Sequence, residues 1–168
     1  QYLSLEYVYI TIALPSKRRL ILICVYRKQE IPISCFFEEL ANLIDRISPK
    51  CEAVMIVGDF NVWVDEEEDT NSKQLLTLMS SYGLNQQVHD PTHWGGHTLD
   101  QIYVNEFQVN VRHEVLSEKM GLTTDHLPLL IEIPSIYKQQ RTVIKEYRKI
   151  NEVNVEVFKQ DLRQAYLH

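Results

Sequence analysis

The stretch Val54-Met55-Ile56-Val57-Gly58-Asp59-Phe60-Asn61 is an apolar run that ends in an acid and an amide two residues apart. Four consecutive apolar residues bounded by Gly and Asp predict a buried strand. Side chains alternate along extended backbone, so Asp59 and Asn61 are predicted to project to one side of the strand's carboxyl edge while Phe60 returns to the core. A polar pair on a rigid support suits chemistry. A strand closing in a Gly-Asp turn accounts for the same letters, because Gly, Asp and Asn are ordinary turn residues.

The flanking pattern predicts alternating elements. Tyr2 to Leu14 and Leu20 to Tyr26 are rich in Ile, Val, Leu and Tyr and read as a hairpin across Pro15-Ser16-Lys17. Phe36, Phe37, Leu40, Leu43, Ile44 and Ile47 recur at three- and four-residue spacing, which predicts an amphipathic helix with Ser34 as N-cap and Pro49 beyond its end. A second helix is predicted over Asn71 to Tyr82, with Leu75, Leu78, Met79 and Tyr82 inward and Gly83 as its stop. Short strands follow at Thr98 to Val104, Val109 to Leu116 and Leu129 to Ile133, closed by Pro134. Such alternation argues a layered α/β domain. From Ser135 the chain turns polar and basic, before Val155, Phe158, Leu162 and Tyr166 mark a short helix with Asn154 as cap. The expected organisation is a domain over 1–134 and a linker with helix over 135–168.

Two more polar clusters stand at the ends of apolar stretches. One is Gly96-His97-Thr98-Leu99-Asp100-Gln101-Ile102-Tyr103-Val104, the other Thr123-Thr124-Asp125-His126-Leu127-Pro128-Leu129-Leu130-Ile131. GDFN, then HTLDxI, then Thr-Asp-His before an apolar strand resembles the endonuclease/exonuclease/phosphatase superfamily, and most of all the endonuclease domain of LINE-type, non-LTR retrotransposons. Ile23-Cys24-Val25-Tyr26-Arg27 is similar to that family's strand ending in Tyr-Arg, and Asp90-Pro91-Thr92-His93 leads into the HTLD strand in the same way. The resemblance covers about Tyr2 to Ile133.

It implies a four-layer α/β/β/α sandwich of two mainly antiparallel sheets with the catalytic residues at one edge. It also implies divalent-metal-dependent phosphodiester hydrolysis, the nicking of DNA with Mg2+ or Mn2+. Asp59 would then orient or deprotonate the attacking water, Asn61 donate to a phosphate oxygen, and His126 act at the scissile phosphate. Asp100 would buttress that histidine, Tyr26 contact the phosphate, Asp125 lie at the metal, and His97 shape the DNA-facing loop. Family members carry an asparagine strand and a strand with the principal metal-ligand glutamate upstream of the matched region. Neither is found here; Glu6 lies in a later strand of the pattern. The resemblance therefore implies the C-terminal two-thirds or so of the domain, truncated at the N-terminus and inactive by itself, with a reverse transcriptase downstream in a longer parent. A repurposed binding domain without turnover, or a superfamily phosphodiesterase acting on another substrate, are the rival readings.

Composition narrows the class. With 168 residues and 45% hydrophobic content the chain is long enough for one domain with a core. No apolar run reaches the roughly 20 residues that span a bilayer, so no membrane partner is expected. Cys24, Cys35 and Cys51 lack the spacing of a disulfide framework or zinc finger, which fits reduced thiols in a nuclear or cytoplasmic setting. Against 17 Lys and Arg stand 23 Asp and Glu, so net charge does not advertise a polyanion partner. Arg18, Arg19, Arg27 and Lys28, and in the tail Lys138, Arg141, Lys145, Arg148 and Lys149, are the clusters able to meet phosphates. Glu66 to Asp69 reads as a solvated loop. His93 and His97 are four apart, but Gly95 and Gly96 between them make a loop rather than a metal-binding helix face. Trp63 and Trp94 are able to stack on bases or simply to pack.

Overall fold

A computed structural model describes residues 4–14, 18–50, 52–105, 111–117, 123–133 and 155–165. The expected Pro15-Ser16-Lys17 turn and Asn154 cap, with Cys51, Pro134, the basic tail residues and Tyr166, lie outside them. The chain divides into two compact units, Gln1–Lys138 and Gln139–His168. In the second, Val155–Ala165 forms a helix. No helix among the described residues is long and apolar enough to cross a membrane.

In the first unit β1 (Leu5–Ala13) and β2 (Arg19–Arg27) form the predicted antiparallel hairpin. β2 then pairs in parallel with β3 (Ala53–Asp59), and parallel neighbours need a crossover, supplied by α1 (Ile33–Ile47). β5 (Asp100–Val104) runs antiparallel to β3, and the short β4 (Asn85–Gln86) closes the order β1-β2-β3-β5-β4. A separate pair, β6 (Arg112–Val115) and β7 (Leu129–Glu132), makes a second, antiparallel sheet. β6 is shorter than the predicted strand, whose first residues, from Val109, lie outside the described ones.

Both faces of the larger sheet are covered. Ile21, Ile23, Val25, Val54, Ile56 and Tyr103 pack under α1 and α2 (Thr70–Ser81). On the other face Leu20, Met55, Ile102 and Val104 meet Val115, Leu129 and Ile131 of the small sheet. The layers of this unit are thus helices, a mainly antiparallel sheet and a second antiparallel sheet.

The helices form for the reasons their periodicity suggests, with one exception at a cap. α1 buries Phe36, Leu40, Leu43, Ile44 and Ile47, each worth about 1.5–3 kcal/mol of apolar burial. It begins earlier than Ser34, however: Pro32 occupies the cap position and, among the described residues, no side chain caps the helix. Proline presets the backbone at a helix start and has no N–H to satisfy, so the fixed turn replaces the expected hydroxyl. α2 is capped by Asp69, whose Oδ1 accepts from the Ser72 N–H at 2.7 Å, so the acidic run ends in a structural acid. At its far end Gly83, at φ 68°, lets its own N–H reach Ser80 O and the Leu84 N–H reach Met79 O. Those bonds define a glycine stop. Glu39 ties α1 to the sheet by accepting from the Ser4 and Leu5 N–H groups and the Ser4 hydroxyl.

Candidate active site

Strand parity creates one polar row. Leu20 and Leu22 on β2, Met55 and Val57 on β3, and Ile102 and Val104 on β5 all face the small sheet. Tyr26, Asp59 and Asp100 share that parity at one end of their strands. Register sets Tyr26 beside Asp59 and Asp59 beside Asp100. Glu6 lies in register with Tyr26 at the end of the same row, where it pairs with Lys28 at 2.7 Å.

The close approach of β2 and β3 depends on Gly58. At φ 141° it faces Val25, and a Cβ built there would lie 1.9 Å from the Val25 carbonyl oxygen. Beyond it Phe60 is fully buried, as alternation predicts. Asn61 then takes φ 49°, a left-handed conformation that asparagine tolerates. Its N–H donates to Asp59 Oδ1 at 2.9 Å, and its amide donates to Asp59 Oδ2 at 3.2 Å and to the Arg27 carbonyl at 2.9 Å. Its Oδ1 accepts from Gln29. Asn61 therefore holds Asp59 against β2.

His126 reaches the row from the opposite sheet. Trp94 N–H donates to Asp125 O at 3.0 Å and Leu127 N–H to Thr92 O at 2.7 Å, which join the loop before β5 to the loop before β7. The imidazole Nδ1 lies 2.7 Å from Asp100 Oδ2, and Nε2 lies 4.0 Å from Asp59 Oδ2. Beside a carboxylate Nδ1 carries the proton, which leaves Nε2 on the Asp59 side. Burial opposes the imidazolium, but the bond to Asp100 and the charges of Asp100, Asp59 and Asp125 outweigh it and raise the His126 pKa. Burial also raises the Asp59 pKa, helped by the Asp100 charge and opposed by the Asn61 bonds and His126.

Asp125 is exposed, and its bond to His93 at 3.1 Å holds its carboxyl below the usual range. His93, Asp125 and His126 each offer a ligand atom, all within 4.8 Å of one another, and Asp65, Glu66 and His97 form a second such group. Either donor set fits a divalent ion, the first mixing imidazole with carboxylate. Thus Tyr26, Asp59, Asn61, Asp100, Asp125 and His126 come together. His97 stands across the Gly95-Gly96 loop from His93, in the second group.

Three residues of the site carried weak signals. Thr92 is buried, and its hydroxyl accepts from the Leu99 and Asp100 N–H groups at 3.0 and 2.9 Å, which fixes where β5 starts. Its only sequence cue is the Asp90-Pro91-Thr92-His93 stretch. His93 packs edge-on against His126, ring centroids 5.2 Å apart, although four-residue spacing pairs it with His97. Asp65 accepts from Thr98 N–H at 2.8 Å and bonds His97, but in sequence it is one acid in an acidic run.

An α/β sandwich with a carboxylate–imidazole row at its edge is the arrangement that the strands build, and sequence comparison gives the family. The profile described as endonuclease-reverse transcriptase matches residues 20–130. The chain belongs to this family, within the endonuclease/exonuclease/phosphatase proteins. No curated protein matches it. Among solved structures, the endonuclease domain of TRAS1, a telomere-specific non-LTR retrotransposon, superposes with a TM-score of 0.63 at 19% identity, over 78% of this chain and 63% of that one. The human Nocturnin catalytic domain with bound sulfate gives 0.48 at 20% identity, over 77% and 60%. D. rerio TDP2 complexed with single strand DNA product gives 0.47 at 16%, over 75% and 67%. The chain thus spans 63% and 60% of the length of the first two. The TRAS1 likeness establishes the fold.

Proposed function

We propose that this chain carries the hydrolytic residues of a divalent-metal-dependent endonuclease that nicks DNA, in a retrotransposon-derived protein with a reverse transcriptase. Residues 1–134 would be its catalytic domain and 135–168 a linker and helix. The observation that carries the reading is the Asp100–His126–Asp59 arrangement, with His126 bonded to one acid at 2.7 Å and 4.0 Å from the other. At 4.0 Å the second pair is not a hydrogen bond, so Asp59 and Nε2 remain available to a phosphate and its attacking water.

In this reading Asp59 takes the proton of the water, a role that burial favours by making the carboxylate more basic. His126, whose protonated form the bond to Asp100 favours, would donate from Nε2 to a phosphoryl oxygen as charge develops there. Asn61 positions Asp59, Tyr26 reaches the phosphate from the neighbouring strand, and His97 shapes the substrate side of the loop. Asp125, beside His93, would hold Mg2+ or Mn2+, which would neutralise phosphoryl charge when bound.

The test is nicking of supercoiled plasmid with and without Mg2+ by the chain and by Asp59→Ala and His126→Ala. Metal-dependent nicking lost in both variants supports the proposal. A folded chain that binds DNA but does not nick it would favour a binding domain without turnover.

A further inference from the structure

Two residues past Asn61, the Trp63 indole lies flat on the His97 imidazole, with ring centroids 4.2 Å apart and planes within 2°. The imidazole is itself fixed, because its Nδ1 lies 2.9 Å from Asp65 Oδ2 while Asp65 Oδ1 accepts from the Thr98 N–H. The stack is a rigid platform. Yet Trp63 remains 50% exposed, and it also walls a cleft of about 580 Å3 that His97 does not line. That volume lies in the range of small-molecule and nucleotide sites.

The rest of the cleft wall mixes Ile31, Pro32, Ile33 and Val62 with polar side chains, the acids Glu30 and Asp69 among them. Asn61, which holds Asp59, joins it to the candidate catalytic row. Gln29 brings an amide and Arg27 a guanidinium that is 8% exposed. One Arg27 nitrogen donates to Asn61 O at 3.0 Å, while its Nε is buried without a hydrogen-bond partner among the described residues. An aromatic face, a guanidinium and amides beside a hydrolytic carboxylate match the chemistry of a nucleotide: a flat base, an anionic phosphate and polar edges.

We propose that this cleft is a nucleotide subsite, in which a base of the DNA strand next to the scissile phosphate stacks on Trp63 while Arg27 and Gln29 meet its polar groups. That the strand is DNA rests on the endonuclease reading. Trp63 is the binding residue; His97 and Asp65 are positioning residues that keep the indole upright.

Binding is measured by fluorescence anisotropy, without metal, for a labelled oligothymidylate and for an oligomer of equal length built from abasic units. The two carry the same phosphates and differ only in bases. The chain is expected to bind the base-bearing strand about ten-fold or more tightly. Trp63→Ala removes that preference and leaves backbone binding, Trp63→Phe restores part of it, and His97→Ala weakens it. Thermal melts establish that each variant is folded. Equal binding of both oligomers by the unmodified chain, or a preference that survives Trp63→Ala, overturns the subsite. Free thymidine monophosphate competing as well as the oligomer overturns the assignment to a strand. Plasmid nicking separates the two readings: nicking without base preference rejects only the subsite, and base preference without nicking rejects only the endonuclease.

Discussion

Replacing Gly58 with alanine puts the closest strand contact of the site to the test. In a parallel pair the two backbones run about 4.8 Å apart, and a side chain normally points away from the neighbouring strand. At φ 141° Gly58 breaks that geometry, and an added Cβ would sit 1.9 Å from the Val25 carbonyl oxygen, 2.9 Å from its carbon and 2.9 Å from its nitrogen. These are backbone atoms of β2, so no rotamer change relieves the overlap. Either the strands part or Gly58 adopts an ordinary φ, and both routes move Asp59, the next residue, relative to Tyr26. Backbone strain of about 1–3 kcal/mol and overpacking of about 1–3 kcal/mol together suggest a loss near 4 kcal/mol. For a domain of this size that lowers the melting temperature by about 10 °C. Thermal unfolding followed by circular dichroism measures it directly. A Gly58→Ala protein melting within about 2 °C of the parent would refute the argument, because the β2–β3 register would then not depend on the missing side chain.

Two further outcomes follow from hydrogen bonds of the site. Asp100→Asn removes the acid whose bond and charge raise the His126 pKa, so the His126 titration followed by NMR should move to lower pH. A raised folded-state pKa adds stability that is complete below the ordinary imidazole range and is lost as pH rises through the raised value. Denaturant unfolding at the two ends of that window should therefore show the parent losing about 1 kcal/mol, discounted for partial exposure, and the variant less. A pH dependence identical in both proteins would contradict the pairing. Thr92→Val keeps shape but leaves the Leu99 and Asp100 N–H groups without their shared acceptor. It should cost about 2–3 kcal/mol in denaturant midpoint measurements, and a neutral result would mean that another acceptor takes over.

How much of this was readable in one sequence depends on whether a feature is local. The α1 face was legible because every buried residue falls on a single 3.6-residue period, and Phe60 because strand parity admits one answer. Where local chemistry had two solutions the sequence could not choose between them. Ser34 and Pro32 both suit a helix start, and only the chain path selects proline. Gly58 reads as turn chemistry, whereas its reason is the Val25 carbonyl of a strand more than thirty positions away. His93 and His97 invite pairing by spacing, but Gly95 and Gly96 let the loop fold back, so each ring finds a different acid.

The row itself shows why motif order carries more information than any single motif. Tyr26, Asp59 and Asp100 are unremarkable strand-end residues taken singly, and nothing local aligns them. Alignment comes from one parallel and one antiparallel register on β3, which bring all three to the same level on the same face. A slip of one residue in either pairing would turn a carboxylate toward the helices. The buried residues that fix those registers, Met55, Ile56, Ile102 and Tyr103 among them, thus set the chemistry of the site as firmly as the acids do. His126 obeys the same logic from the other sheet, because two backbone bonds between the loops before β5 and β7 decide that its imidazole reaches Asp100.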